Sequence, residues 1–385
     1  MSTGTFPSRP SRYVVVDTLR GVAILGMIWA HVRGIAPQML PEAIMGGFSQ
    51  MSGAATPLFM LVAGTTIAIL TQRKMDSTQR RHFRLEYFLR GVGLVLIGLA
   101  LLPWDNRVDI VLSYLGITFI LAVPFLFASS KALCVAASAV FLASPLLARS
   151  VGQLILNSPD LRFPQVTYSP LGMLIQWTFT GHSYHATWLL PFLLLGLVLG
   201  RLLLSKKLPA TTICIAGLLV TAVVYIFFVR QGQDNGTYTR GGYAEMTYDL
   251  ARALFVYGAL IWLASVKNSK IHNWLPKVFM PVSLAGRVPL TLYVGHVLLL
   301  FTFETNHWTL VGPQGLWPLI VFGVCIGFAV LWGLTLGVGP VERFLGVFSL
   351  RHKLRWAFTA QPATLAEFGF SKRHDENAAA TTTPS

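Results

Sequence analysis

Charged side chains are scarce in this chain: Asp, Glu, Lys and Arg make up 12% of its 385 residues, about half the share of an ordinary soluble domain. The polar coat that a cytosolic enzyme presents to water is missing. Acidic residues are the scarcer sign, 15 against 30 Lys and Arg, for a formal net charge of +15. Cysteine is nearly absent as well. Cys134, Cys214 and Cys325 stand alone within apolar runs, with no CxxC or Cys/His spacing, which argues against a disulfide framework and a structural zinc. There is no Walker motif, no HExxH and no GxSxG placed after a strand, so no metal is expected.

What the chain has instead is apolar length, with 54% hydrophobic residues and a mean hydropathy of +0.61. Ten stretches approach the roughly 20 helical residues that cross a hydrocarbon core. They lie near 14–33, 53–70, 87–103, 109–127, 132–147, 187–204, 211–229, 247–266, 284–303 and 317–336. They are continuous runs, not the alternating segments of a membrane barrel. The predicted fold is therefore all-α, a polytopic integral membrane bundle of about ten transmembrane helices. The first stretch is not a signal peptide, because Asp17 and Arg20 interrupt it.

The basic excess can now be sorted by side. With the N-terminus cytoplasmic, the inner segments hold 22 Lys and Arg and the outer segments 6. That is a strong positive-inside signal, so both termini are expected inside, and the charge no longer argues for a nucleic-acid partner. The expected organisation is a transmembrane domain over 1–356 and a disordered cytoplasmic tail over 357–385, which ends in AAATTTPS. The partner implied throughout is the lipid bilayer. Two outer loops, 148–186 with His182 and His185, and the Gly-rich 230–246, are placed to shape a site on the outer face.

Ionisable groups inside spans are costly and therefore functional candidates. Asp17 and Arg20, three apart, share one face of the first span and can pair. Arg20 and His31 are eleven apart, three turns and about 20° over, with a rise of about 16 Å. One reading is an orienting ion pair plus an interfacial histidine. The other has Arg20 holding an anion near the cytoplasmic side, with His31 as a general base further out. In the ninth span Tyr293 and His296 share a face, either for an interhelical hydrogen bond or for chemistry. Glu245, Asp249 and Arg252 open the eighth span at helical spacing and read foremost as a structural pair. His182, His185 and Glu304 lie on the outer side, where an acceptor would approach.

The opening Asp17-x-x-Arg20-Gly21-x9-His31 resembles the first-helix signature of membrane acyltransferases of the acyltransferase-3 type. Other stretches resemble the heparan-α-glucosaminide N-acetyltransferase-like and DUF418-type membrane proteins: VDTLRGVAILGMIWAHV at 16–32, ATPLFMLVAGTTIAIL at 55–70, LLPFLLLGLVLGR at 189–201, GRVPLTLYVGHVLLL at 286–300 and GPVERFLG at 339–346. The lysosomal-type enzymes carry a His in the loop after the first span and an Asp before the PxF stretch of the second. Residues 38–56 of this chain contain neither, so the resemblance leaves His31 as the base or as a transient acyl carrier. Arg81-His-Phe-Arg84, in the stretch 72–90 read as a cytoplasmic loop, resembles the R-x-x-R of acyltransferase-3 proteins. With Arg90 these arginines are the candidates for the phosphates of coenzyme A.

The resemblance implies a membrane acyltransferase that uses acyl-CoA, most simply acetyl-CoA, as donor. The acceptor would be a hydroxyl or amine of an envelope carbohydrate or glycolipid, and the setting a bacterial plasma membrane. A homo-oligomer stays open. The rival readings are a transporter or flippase whose intramembrane Asp, Arg and His line a polar path, and a non-catalytic scaffold.

Overall fold

The computed structural model describes residues 14–32, 42–104, 109–158, 169–181, 184–205, 207–230, 242–266, 269–305 and 317–368. Each of the ten apolar stretches overlaps helix, although 284–303 is broken by a turn at 286–288. In chain order the helices are α1 (Val14–Val32), α2 (Glu42–Leu70), α3 (Ser77–Leu101), α4 (Leu112–Ala122), α5 (Ser130–Asn157), α6 (Pro170–Ile175), α7 (Ala186–Leu204) and α8 (Ala210–Val224). After these come α9 (Tyr243–Ser265), α10 (Ser269–Val278), α11 (Met280–Ala285), α12 (Pro289–Thr305), α13 (Trp317–Thr335), α14 (Pro340–Phe348) and α15 (Leu354–Ala357). No strand occurs among the described residues.

Length and composition qualify six of these helices to cross a bilayer, or seven if Leu319–Thr335 and Pro340–Phe348, bent by 62°, form one span. The expected ten are not reached among the described residues. Leu112–Phe125 and Pro289–Phe303 are apolar but short, and α9 opens with Glu245, Asp249 and Arg252. Two of the long helices, α5 and α8, leave apolar side chains such as Val135, Leu142, Leu154 and Leu219 exposed. Such surfaces are unfavourable in water and at home in lipid. The helices are those of an integral, multi-pass membrane protein.

The stretch 72–90 is not a loop throughout. Asp76 and Gln79 close a capping box, with the Gln79 amide donating to Asp76 Oδ1 at 2.7 Å and the Asp76 amide to Gln79 Oε1 at 3.1 Å. From Ser77 onward the chain is the first turns of α3, because the box satisfies two of the otherwise orphaned N–H groups.

α1 is the central strut. Leu19, Ala23, Ile24 and Ile28 are buried, and the helix packs on α2, α11, α12 and α13. Residues 361–368, expected in the tail, instead return to the bundle. The Gln361 amide donates to the Leu336 carbonyl at 3.1 Å and the Ala363 amide to that of Gly333 at 2.9 Å, and Phe368 is fully buried beside Leu284. An aromatic ring and an apolar cleft drive this return. Gly337 makes room for it: its φ of +81° suits glycine, and a Cβ there would lie 1.8 Å from the Gln361 carbonyl. Residues 369–385 lie outside the described residues.

Candidate functional site

At the N-terminal end of α1, Arg20 Nη1 donates to Asp17 Oδ1 at 2.9 Å, the i,i+3 pair the sequence indicates. Arg20 Nη2 donates to Thr66 Oγ1 at 2.8 Å. The structure adds a second guanidinium, with Arg287 Nε 3.6 Å from Asp17 Oδ2. A close backbone approach brings it there. A Cβ on Gly286 would sit 1.7 Å from the Asp17 carbonyl oxygen, and one on Gly21 would sit 1.8 Å from that of Val282. Only hydrogen at these positions lets α1 meet the turn after α11 so closely. Asp17 and Arg287 are almost wholly buried, so the carboxylate is needed to offset both cations.

Beside this pair lies a cavity of about 200 Å³ whose wall includes four arginines, Arg20, Arg90, Arg287 and Arg351, together with Tyr87 and Glu342. Three of the arginines have carboxylates nearby: Asp17 for Arg20 and Arg287, and Glu86, 3.5 Å from Arg351 Nε. Glu342 is committed elsewhere. Its Oε1 accepts from the amides of Leu290 (2.6 Å) and Thr291 (3.1 Å), and its Oε2 accepts from the Thr291 hydroxyl (2.5 Å). The GPVERFLG motif thus supplies the acid that caps α12. Arg90 lines the cavity with no carboxylate at ion-pair distance among the described residues, its guanidinium 6.0 Å from the Phe119 ring. Several arginines converging on a partly enclosed space, with Glu86 acting on Arg90 only at longer range, are suited to bind a phosphate-type anion.

Arg81 and Arg84 do not share this wall. Both are exposed, and Arg84 lies over the Phe127 ring at 5.6 Å. Because this segment is helical, Arg81, nine residues before Arg90, points from the opposite side of α3, and Arg84 is about 120° away. Of the arginines singled out from sequence, Arg90 and Arg20 line this cavity, and Arg287 and Arg351 join them there. No local pattern marks Arg287 or Arg351, because contacts with distant segments, Asp17 and Glu86, bring them to the cavity.

At the other end of α1 the two candidate histidines meet. His31 Nδ1 and His296 Nε2 are 2.9 Å apart, with ring planes 4° from parallel. His296 is fully buried, and its Nδ1 lies 3.1 Å from the Leu292 carbonyl. A carbonyl only accepts, so in the neutral pair His296 carries its proton on Nδ1 and offers the Nε2 lone pair to His31 Nδ1–H. His31 Nε2 then bears the basic lone pair. In this arrangement His296 fixes the orientation of the His31 ring, as a carboxylate does for a histidine in many hydrolytic sites. Tyr293 packs edge-on to His296, centroids 5.1 Å apart. Its hydroxyl accepts from the Val111 amide at 2.9 Å and donates to the Asp109 carbonyl at 3.2 Å, so it braces the turn before α4.

The remaining candidates are distributed elsewhere. His185 is buried and its Nδ1 pairs with Thr187 Oγ1 at 2.9 Å. Asp249 and Arg252 form an ion pair, with the guanidinium 4.1 Å over the Tyr248 ring. His182 and residues 159–168 and 231–241, in the loops expected on the outer side, lie outside the described residues, as does the side chain of Glu304. No group of three His, Cys, Asp or Glu able to hold a metal occurs among the described residues.

His185 carries a testable pH signature. Burial pushes its pKa down to about 4 from the ordinary 6.5, against the smaller upward pull of a hydrogen bond to the Thr178 backbone carbonyl. Protons therefore bind the unfolded chain more strongly. Its contribution is fully present above about pH 6.5 and is lost as pH falls toward 4, a difference on the order of 3 kcal/mol. Melting temperature in detergent is expected to fall over that window in the wild type, and His185→Gln is expected to flatten the fall. An unchanged slope would show that His185 is not the proton acceptor.

The model of the family described as "Heparan-alpha-glucosaminide N-acetyltransferase, catalytic" matches residues 12–212. That stretch holds Asp17, Arg20, His31 and Arg90; Arg287, His296, Glu342 and Arg351 lie beyond it. No curated protein matches the chain.

Proposed function

The chain belongs to the heparan-alpha-glucosaminide N-acetyltransferase catalytic family, and on that premise we propose that it moves an acetyl group from acetyl-CoA to a hydroxyl or amine of a membrane-associated carbohydrate or glycolipid. The observation that carries this reading is the stripe on α1. Arg20 stands in the wall of the four-arginine cavity, and His31, hydrogen-bonded to His296, stands about 16 Å further along the same helix face. A pantetheine arm has about a dozen bonds between its phosphate and sulfur. At the ~1.2 Å advance per bond of an extended chain it spans about 15 Å, so phosphates on the arginines would bring a thioester to the histidines.

The donor would enter from the basic, cytoplasmic side and the acceptor from the outer side. Arg20, Arg90, Arg287 and Arg351 bind the donor's phosphates, with Asp17 holding Arg20 and Arg287 in place. His31 Nε2 takes the proton from the acceptor as its oxygen or nitrogen attacks the thioester carbonyl. The carbon–sulfur bond then breaks, and the departing thiolate receives that proton. His296 fixes the His31 ring and accepts from its Nδ1–H while the imidazolium exists.

The test is release of free coenzyme A from labelled acetyl-CoA by purified protein, with envelope extract as acceptor source. Acceptor-dependent release is expected, and no release from folded protein would overturn the enzyme reading. In the same assay Arg90→Ala is expected to raise KM for acetyl-CoA about tenfold or more and leave kcat nearly unchanged, since its contact is made in ground and transition states alike. An unchanged KM would detach the cavity from the donor.

A further inference from the structure

Arg287 is gripped from two sides. Asp17 approaches its Nε, as described, while on the other side Nη2 donates to Glu367 Oε2 and the guanidinium carbon lies 5.5 Å over the Phe368 ring. Glu367 is itself held in place. Its Oε1 accepts from both the Thr364 amide and the Thr364 hydroxyl at 3.2 Å, which leaves Oε2 aimed at Arg287. Burial alone would raise the Glu367 carboxyl, yet the hydrogen bond and charge of Arg287, with the Thr364 contacts, hold it below the ordinary 4.5. The peptide that carries it is anchored by the backbone hydrogen bonds of Gln361 and Ala363 and by the buried Phe368 ring.

We propose that this C-terminal strap, residues 361–368, completes the anion site, with Glu367 as the positioning residue that holds the Arg287 fork toward the cavity. A guanidinium with 2% of its side chain exposed has a long, flexible stem and two possible roles, internal ion pair or ligand contact. With Asp17 alone shared between Arg20 and Arg287, the fork is drawn back onto α1. A second carboxylate on the far side sets its plane and leaves remaining donors for a ligand. Identification of the anion as a coenzyme A phosphate rests on the reading above; the role of Glu367 does not.

The experiment measures binding of two probes, pyrophosphate and coenzyme A, to the purified full-length protein in detergent, alongside its melting temperature. Glu367→Gln keeps shape and removes charge. It is expected to weaken pyrophosphate binding about tenfold with little change in melting temperature, and Glu367→Asp is expected to recover binding to within about twofold. Arg287→Lys keeps the charge and loses the fork. It is expected to weaken binding to the same degree, and it decides the matter if Glu367→Gln does not fold. In the Arg287→Lys background Glu367→Gln is expected to add little. Equal or tighter pyrophosphate binding by Glu367→Gln, independent additive losses, or no pyrophosphate binding by wild type would each overturn the role of the strap. Binding of pyrophosphate without coenzyme A would overturn the donor assignment and leave the strap intact.

Discussion

Replacement of His31 by Ala is expected to lower kcat for acetyl transfer by about 10²–10⁴-fold, the usual range for loss of a general base, while KM for acetyl-CoA stays within about twofold. The split follows from the geometry. The arginine cavity proposed to hold the donor is about 16 Å away along α1 and is untouched by the change. His31 is half-buried, so the truncation removes little packing. His31→Asn, which retains a hydrogen-bonding amide for His296 but no basic nitrogen, is expected to be equally inactive. Substantial coenzyme A release by His31→Asn would show that His31 is not the proton acceptor. Steady-state kinetics with coenzyme A release as readout, combined with melting temperature, separates these outcomes.

The largest effect on stability is expected at Asp17. Its carboxylate lies between Arg20 at 2.9 Å and Arg287 at 3.6 Å, with 3% of the side chain exposed. Asp17→Ala leaves two guanidiniums facing one another around a small void. Loss of one member of a buried ion pair typically costs about 3–5 kcal/mol. A lowered melting temperature and reduced yield of folded protein are expected, with Asp17→Asn intermediate because its amide oxygen still accepts from Arg20. The double variant Asp17→Ala, Arg20→Met, which also removes one of the stranded cations, is expected to recover part of the loss. A melting temperature for Asp17→Ala within about 1 °C of wild type would mean that solvent or lipid headgroups satisfy the arginines and the pair is not structural.

Legibility of the site varied with sequence distance. Asp17 and Arg20 are three residues apart, so one helical turn decides their contact and the pair was readable directly. His31 and His296 were each conspicuous as histidines in apolar runs, yet 265 positions separate them, and nothing local states that they touch. Arg81 and Arg84 show the limit of composition. Basic residues flanking a span look alike in composition, and only the phase of α3, set by the Asp76 cap, turns Arg90 inward and Arg81 outward. Glu367 fell in a stretch that reads as disordered because it is polar and follows the last apolar run. A single ring, Phe368, is enough to dock it once a matching cleft exists.

By itself the sequence determined that the chain is helical and built for lipid, where the helices run, and which intramembrane charges needed an explanation. Run length, charge scarcity and helical spacing act over a few turns, and they are written in consecutive residues. Tertiary structure alone decided which of those charges meet: Arg287 with Asp17 and Glu367, four arginines around one cavity, His31 on His296, and Glu342 beneath the helix that carries His296. These contacts depend on how closely α1 and the turn after α11 approach at Gly21 and Gly286 and on where the chain returns after α15. Those are properties of packing between distant segments, and no local pattern encodes them.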